Sequence, residues 1–342
     1  MSEIFETMEE LSGIGGVSGD EDAVRAAIAA KLQGVCELET DALGNLIAFK
    51  KGGAKPKNTL QFSAHMDEIG FVIKRIEDNG YLRFVCSGGI DSRIIHGKAV
   101  EIGQKRVYGV IGAKVGHRLD DKERETPVKV EDLLIDIGAE NKEEAEKYVS
   151  IGDKAVFSSK FKKFGDGLIL GRALDDRAGC AMLIEMAKSD LPYDCYFTFT
   201  VQEETGCIGG VTAAYRVNPD IGVAVEATTA GDIADTDPDK IICKLGGGPV
   251  ISFKDTQTTY DGGLYRLGMK TAKKLGIPVQ TKEGVKGGNE SGSIQRSRNG
   301  VKVMAVSLPC RYLHSPACVI KESDVHDTVK LLSALVKELA EY

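Results

Sequence analysis

The chain contains no tryptophan. The side chain that commonly stacks on sugar rings is missing, which weakens any reading of the protein as a carbohydrate enzyme. It has no Cys-x-x-Cys pair either. The eight cysteines (Cys36, Cys86, Cys180, Cys195, Cys207, Cys243, Cys310 and Cys318) are scattered through a long chain. That pattern argues against a disulfide scaffold and fits reduced, mostly buried thiols in a cytoplasmic protein. No apolar run approaches the ~20 residues that span a bilayer, so no membrane partner is expected. No basic block occurs and the net charge is −7, so nucleic acid is not an expected partner. The opening Met-Ser-Glu-Ile-Phe-Glu is acidic and without an apolar core, unlike a secretory signal. A Gly-x-Ser-x-Gly elbow is absent, which leaves a serine hydrolase unsupported. The turn Thr205-Gly206-Cys207-Ile208-Gly209-Gly210 lacks the lysine and the glycine spacing of a phosphate loop.

What is present is ordinary in bulk. With 342 residues, 28% charged and 42% hydrophobic, the chain can bury a full core and hold two domains, or one domain with a large insertion. Apolar positions Ile4, Phe5, Met8 and Leu11 mark a helix over 3–12. Ser18 is placed to cap a second helix running from Asp20 to about Leu32. Strands follow at 46–50 and 59–63. From about 70 to 165 the pattern changes to short β-rich runs (71–76, 81–85, 99–102, 107–111, 133–136, 154–157) separated by turn residues, with one helical stretch at 142–148. This predicts a small β-barrel or sandwich inserted into an α/β domain made of 1–69 and 166–342. After 165 strands and helices alternate: strands at 168–170, 196–201, 221–225, 278–282 and 301–308, helices at 178–187, 211–216, 262–275 and 322–338.

Six potential metal donors stand next to these strands. They are His65, Asp175, Glu203, Glu204, Glu226 and His314. Most follow a short apolar run, and open α/β sheets collect their chemistry at the carboxyl ends of strands. Nitrogen and oxygen donors in this number suit two divalent ions better than one tetrahedral zinc, and point to metal-assisted hydrolysis. His65-x-Asp67 lets a carboxylate brace an imidazole. In Asp175-Asp176-Arg177 one carboxylate can bridge two cations while Arg177 pairs with the other. Glu203 and Glu204 come straight after the apolar strand and, as adjacent strand residues, are expected to face opposite ways, so that one can bind metal while the other meets a substrate's water. His96, His117 and His326 read as surface residues, with His117 able to reach a neighbouring site in an oligomer.

These motifs resemble, along nearly the whole chain, the cytoplasmic dinuclear-metal aminopeptidases that include the tetrahedral and glutamyl aminopeptidases, some of whose members carry cellulase or endoglucanase labels. The resemblance rests on Gly15-Gly16-Val17-Ser18-Gly19, Asp41-Ala42-Leu43-Gly44-Asn45-Leu46, Ala64-His65-Met66-Asp67-Glu68-Ile69-Gly70-Phe71, Ala173-Leu174-Asp175-Asp176-Arg177-Ala178-Gly179, Gln202-Glu203-Glu204, Ala230-Gly231-Asp232 and Pro309-Cys310-Arg311-Tyr312-Leu313-His314-Ser315-Pro316. It implies a mixed-sheet, zinc-peptidase-like catalytic domain. It also implies His65 and Glu204 as ligands of separate metals, Asp175 as the bridge, Glu226 and His314 completing the two sites, Glu203 as general base and Asp67 as partner of His65. The insert at 70–165 would mediate dimerisation, dimers would build a homo-oligomer of up to twelve subunits, and short peptides would be the substrates. Zinc or cobalt suits two imidazoles among carboxylates.

Three positions depart from the family pattern. Glu226 stands where Asp is usual. Thr205, Cys207 and Ile208 replace Val, Leu and Arg after the paired glutamates. Gly287-Gly288-Asn289-Glu290-Ser291-Gly292 replaces Gly-Gly-Thr-Asp-Ala-Gly. Two alternatives remain at this level: a glycoside hydrolase, which needs two carboxyls flanking the scissile bond, and a family member whose chemistry has decayed into peptide binding.

Overall fold

The computed structural model describes residues 3–114, 117, 120 and 125–342. Two helices, Glu3–Gly13 and Asp22–Leu32, precede strands β1 (Glu37–Thr40), β2 (Leu46–Lys50) and β3 (Leu60–His65). Every residue of β3 is buried, as expected for a strand covered on both faces. The next six strands are β4 (Gly70–Ile76), β5 (Leu82–Ser87), β6 (Ala99–Ile102), β7 (Val107–Gly112), β8 (Leu134–Asp136) and β9 (Lys154–Phe157). They close into an antiparallel barrel in the order β4-β5-β8-β7-β6-β9. Closure leaves no unpaired strand edge. The barrel has its own core, in which Phe71 meets Phe84 and Phe157 edge to face at 5.0 and 5.1 Å.

Then come β10 (Lys162–Phe164), β11 (Leu168–Gly171), β12 (Cys195–Thr200), β13 (Ile221–Thr229), β14 (Val250–Ile251), β15 (Gln280–Thr281), β16 (Lys302–Cys310) and β17 (Cys318–Lys321). The fold is mixed α/β. Eight strands form the main sheet in the order β1-β2-β12-β3-β13-β16-β14-β15, and β10-β11-β17 form a small second sheet. The centre of the main sheet, β12-β3-β13-β16, is parallel throughout. The helices Leu174–Lys188 and Glu322–Ala340 supply much of its apolar cover through Met182, Leu183, Met186, Leu332, Leu335 and Leu339. Among the described residues, no helix is long and apolar enough to cross a membrane, and the eight cysteines are free thiols.

Four local expectations change. Ser18 does not cap a helix; the second helix starts at Asp22 without a side-chain cap, and the Ser18 hydroxyl donates to Asp67 Oδ2 at 2.6 Å. Strand β13 does not stop at Val225 but runs to Thr229, because β16 pairs with it up to Cys310. Glu203 and Glu204 lie beyond β12, in a turn entered through Gln202 at φ 55°, so the rule that neighbouring strand residues face opposite ways does not apply to them. Arg177 pairs with neither aspartate beside it. Its guanidinium turns the other way, to Glu68 at 3.5 Å and to the carbonyls of Met66, Leu11 and Ile14.

Candidate metal centre

Four neighbouring parallel strands and the head of one helix deliver the six donors to one crevice. His65 is the last residue of β3, and Glu203 and Glu204 follow β12. Glu226 sits within β13 opposite Ser307, just past the stretch that pairs with β3. His314 lies in the loop between β16 and β17, with φ 55°. Asp175 stands at the head of the helix Leu174–Lys188, where it and Asp176 depart from helical angles.

The donors converge in two groups that share one member. His65 Nε2 lies 3.4 Å from Asp175 Oδ1, 3.7 Å from Glu226 Oε2 and 4.0 Å from Glu203 Oε2. His314 Nε2 lies 3.6 Å from Asp175 Oδ2 and 3.3 Å from Glu204 Oε2. His65, Asp175 and Glu226, and likewise Asp175, Glu204 and His314, each present ligand atoms within 4.8 Å of one another. Each histidine is oriented by its other nitrogen. His65 Nδ1 lies 3.1 Å from the Asp67 carbonyl and His314 Nδ1 lies 3.0 Å from the Gly89 carbonyl. Donating there leaves both Nε2 lone pairs free for a cation.

The electrostatics also fit a cation. Asp175 Oδ1 and Glu226 Oε1 are buried without a hydrogen-bond partner among the described residues. Burial, with repulsion from Asp175, pushes the Glu204 carboxyl up to about 8. Burial pushes Glu226 well above its ordinary range, and Glu203 rises for the same reason. Burial opposes the charged form of His314, yet Asp175 and Glu204 raise it to about 9. His65 rises well above its ordinary value because Asp175, Asp67, Glu203 and Glu226 outweigh its burial. Protons therefore stand in for positive charge between these acids, and a divalent ion would replace them.

The turn bearing the paired glutamates is held by side chains from far up the chain. The Val201 N–H donates to Asn45 Oδ1 (2.9 Å), Gln202 to Glu21 Oε1 (3.0 Å), Glu203 to Asp67 Oδ1 (2.9 Å) and Glu204 to Asp67 Oδ2 (3.1 Å). Asp67 Oδ1 is 3.4 Å from His65 Nδ1, so one carboxylate fixes both the imidazole and the turn. The thiol of Cys207 donates to Glu203 Oε1 at 3.1 Å, leaving Oε2 toward the centre. Behind the site Glu68 joins Arg172 (2.9 Å) to Arg177 (3.5 Å) in a buried ion cluster. The roles of Glu21, Asn45, Glu68 and Cys207 are not readable from their neighbours in sequence. Only the motifs Asp41–Leu46 and Ala64–Phe71 hinted at constraint, and they hold two of the four, Asn45 and Glu68.

The departures from the family pattern fall in different places. Glu226 reaches the cluster. Asp232, the nearest substitute donor in sequence, is occupied by a two-point ion pair with Arg311 (2.8 and 2.8 Å) that anchors the loop carrying His314. Glu290 stays behind the site, accepting from the Thr200 hydroxyl at 2.8 Å, and burial lifts it to about 7. Asn289 lines the cleft above the donors. His96, His117 and His326 are exposed.

The comparisons with known proteins agree in one direction. The family model of the M42 glutamyl aminopeptidases matches residues 44–331. A putative aminopeptidase of Acetivibrio thermocellus is 39% identical over 336 residues, which cover 96% of this chain and 97% of that protein. The crystal structure of a TET aminopeptidase from the marine sediment archaeon Thaumarchaeota archaeon SCGC AB-539-E09 has a TM-score of 0.94 at 32% identity, covering 98% of this chain and 96% of that one. A Pyrococcus horikoshii TET1 peptidase, which can assemble into a tetrahedron or a large octahedral shell, has a TM-score of 0.85 at 36% identity, covering 97% and 99%.

Proposed function

The chain belongs to the M42 glutamyl aminopeptidase family and is an aminopeptidase, and from that premise we propose that it removes N-terminal residues from short peptides by two-cation hydrolysis with Glu203 as general base. One observation carries the reading: Asp175 divides its two oxygens between two histidines, Oδ1 toward His65 and Oδ2 toward His314. A carboxylate so divided suits a bridge between two ions. His65 and Glu226 would hold one, Glu204 and His314 the other, with zinc or cobalt matched to the mixed imidazole and carboxylate set. Such ions supply Lewis acidity toward a peptide carbonyl and a lowered pKa for water.

The chain's own groups do the rest. Glu203 takes a proton from the attacking water on Oε2 and returns it to the departing amine, a role typically worth ~10²–10⁴-fold. Asp67 and Cys207 hold Glu203 in place from its backbone and its second oxygen. A second bound ion would also offer a partner to the free α-amino nitrogen of a peptide, which restricts cleavage to N-termini. The intact donor set argues against a decayed enzyme. Two imidazoles at the centre of the acids have no place in a two-carboxyl glycosidase.

The barrel within 70–165 is the proposed dimerisation domain, with 1–69 and 166–342 as the catalytic domain. Its outer face exposes Tyr108 (60%), Val110 and Val85, and the tetrahedral assembly of the Pyrococcus horikoshii relative supports a homo-oligomer, up to twelve subunits, built from such dimers. A reducing cytoplasm suits the free thiols.

The test is a panel of aminoacyl chromogenic substrates and a soluble glucan, each with zinc, cobalt or manganese and after EDTA, with metal content measured per chain. Peptidase activity that disappears with EDTA and returns with metal, at two ions per chain, is the expected result. Glucan cleavage that survives EDTA would replace this reading with the glycosidase one.

A further inference from the structure

The cleft of about 450 Å³ that opens above the metal donors is not acidic throughout. Lys282 and Lys286, in the segment that follows β15, line it together with Asp175, Glu203, Glu204 and Glu226. Lys282 is built into the fold, because its N–H donates to the Ile251 carbonyl at 3.1 Å where β15 leaves β14. Only 8% of the residue is exposed. Among the described residues its ammonium has no hydrogen-bond acceptor and no carboxylate within 4.0 Å, and the same holds for Lys286. Yet the Lys282 ammonium is not one of the side-chain groups sealed from solvent, so it meets the open cleft. A nearly buried ammonium without a partner is costly. One that opens into a cleft is placed for an anion that arrives with the ligand. Gln257 lines the cleft too, and its side chain lies close to Gly288, two residues past Lys286.

We propose that Lys282 and Lys286 bind the free α-carboxylate at the far end of the substrate, so that the enzyme recognises both termini of a di- or tripeptide. The inference rests on the aminopeptidase reading above and adds to it an end group and a length limit. Every peptide with a free C-terminus carries this carboxylate, whatever its side chains. An extended residue spans at most ~3.6 Å, so only the first one or two residues beyond the scissile bond stay within a cleft that also holds the donors. In a longer peptide the lysines meet uncharged main chain and their ammoniums stay unpaired. Acids alone around the donors would repel a nearby carboxylate and favour a blocked C-terminus. The sign of the preference therefore separates the two cases. Gln257 offers a neutral amide N–H to the second carboxylate oxygen.

The experiment compares kcat/KM of the metal-loaded protein for Leu-Leu and Leu-Leu-amide, and for the ladder Leu-Gly, Leu-Gly-Gly and Leu-Gly-Gly-Gly-Gly. The nearly isosteric acid and amide isolate charge from shape. Leu-Leu should exceed Leu-Leu-amide by about tenfold or more, as expected when a buried charged donor is otherwise left unmatched, and the ladder should fall beyond three residues. Lys282→Met keeps the apolar stem and should bring the acid-to-amide ratio to about one or below, while Lys282→Arg should retain a ratio above one. Lys286→Met, at an exposed position, should lower the ratio as well and serves where Lys282→Met fails to fold. Metal content and melting temperature report the folding of each variant. An active wild-type enzyme that favours the amide, or treats acid and amide alike, overturns this inference and leaves the aminopeptidase reading intact. So does a ladder that stays level to five residues, or a ratio unmoved by the methionine substitutions. A metal-loaded protein inert toward every substrate removes the aminopeptidase reading, and this inference with it.

Discussion

The barrel and the main sheet bury very different side chains. From Gly70 to Phe157, Ser87 is the one buried polar side chain among the described residues; the barrel interior is otherwise aromatic and aliphatic. Around the carboxyl ends of β3, β12 and β13 the buried set includes His65, Asp67, Glu68, Arg172, Asp175, Asp176, Arg177, Glu226 and Glu290. The barrel is stabilised by removing apolar area from water. The sheet end instead keeps charges that repel one another, tolerable only when a cation or a proton lies between them. Each half should therefore fail in its own way when altered.

The largest expected effect is on chemistry alone. Glu203→Gln should lower kcat by about 100-fold or more with two ions per chain retained. Retention of more than about a tenth of wild-type kcat would place the base elsewhere. Next, Glu226→Ala should empty one of the two sites in a metal titration. Glu226→Asp should keep both, with the weaker site unchanged or tightened. Unchanged stoichiometry in Glu226→Ala would remove Glu226 from the ligand set.

The barrel should respond in the opposite manner. Phe71→Ala removes a ring packed between Phe84 and Phe157 and should cost about 3–5 kcal/mol of unfolding free energy, while the folded fraction binds metal as the wild type does. Equal loss of metal affinity would show that the two halves are not separable.

The smallest effect sharpens the contrast through pH. In the metal-free protein Glu204 rises from 4.5 to about 8 and His314 from 6.5 to about 9. Both bind protons more tightly folded than unfolded. Their stabilisation is complete below about pH 4.5 and is lost progressively as pH climbs from there to about 9, where both groups have released their protons in the folded state as well. Melting temperature of the metal-free protein should fall over that interval, and saturating metal should flatten the slope. A slope equally steep with metal bound would mean that the protons and the ion do not compete for the same atoms.

Most strands were legible because their apolar runs are bounded by turn residues, and the donors stood out as acids and imidazoles directly after such runs. The barrel could be told from the α/β body by its close spacing of short strands. What was not legible depends on partners remote in sequence. Arg177 stands beside two aspartates, yet the end of the first helix, through the carbonyls of Leu11 and Ile14, and Glu68 offer it more acceptors. Ser18 looks like a cap until Asp67 is brought within 2.6 Å. The length of β13 is set by β16, about 80 residues later in the chain.

The four consecutive amides of 201–204, each taken by a side-chain oxygen of Asn45, Glu21 or Asp67, bear on motion during turnover. A turn is ordinarily among the first parts of a protein to exchange its amide hydrogens. This one should exchange as slowly as the interior of a strand. Its order comes from side chains that all lie within the first seventy residues, so in the proposed cycle only the Glu203 side chain need reorient about its own bonds. The position of the proposed proton carrier is then set by the scaffold before any peptide arrives.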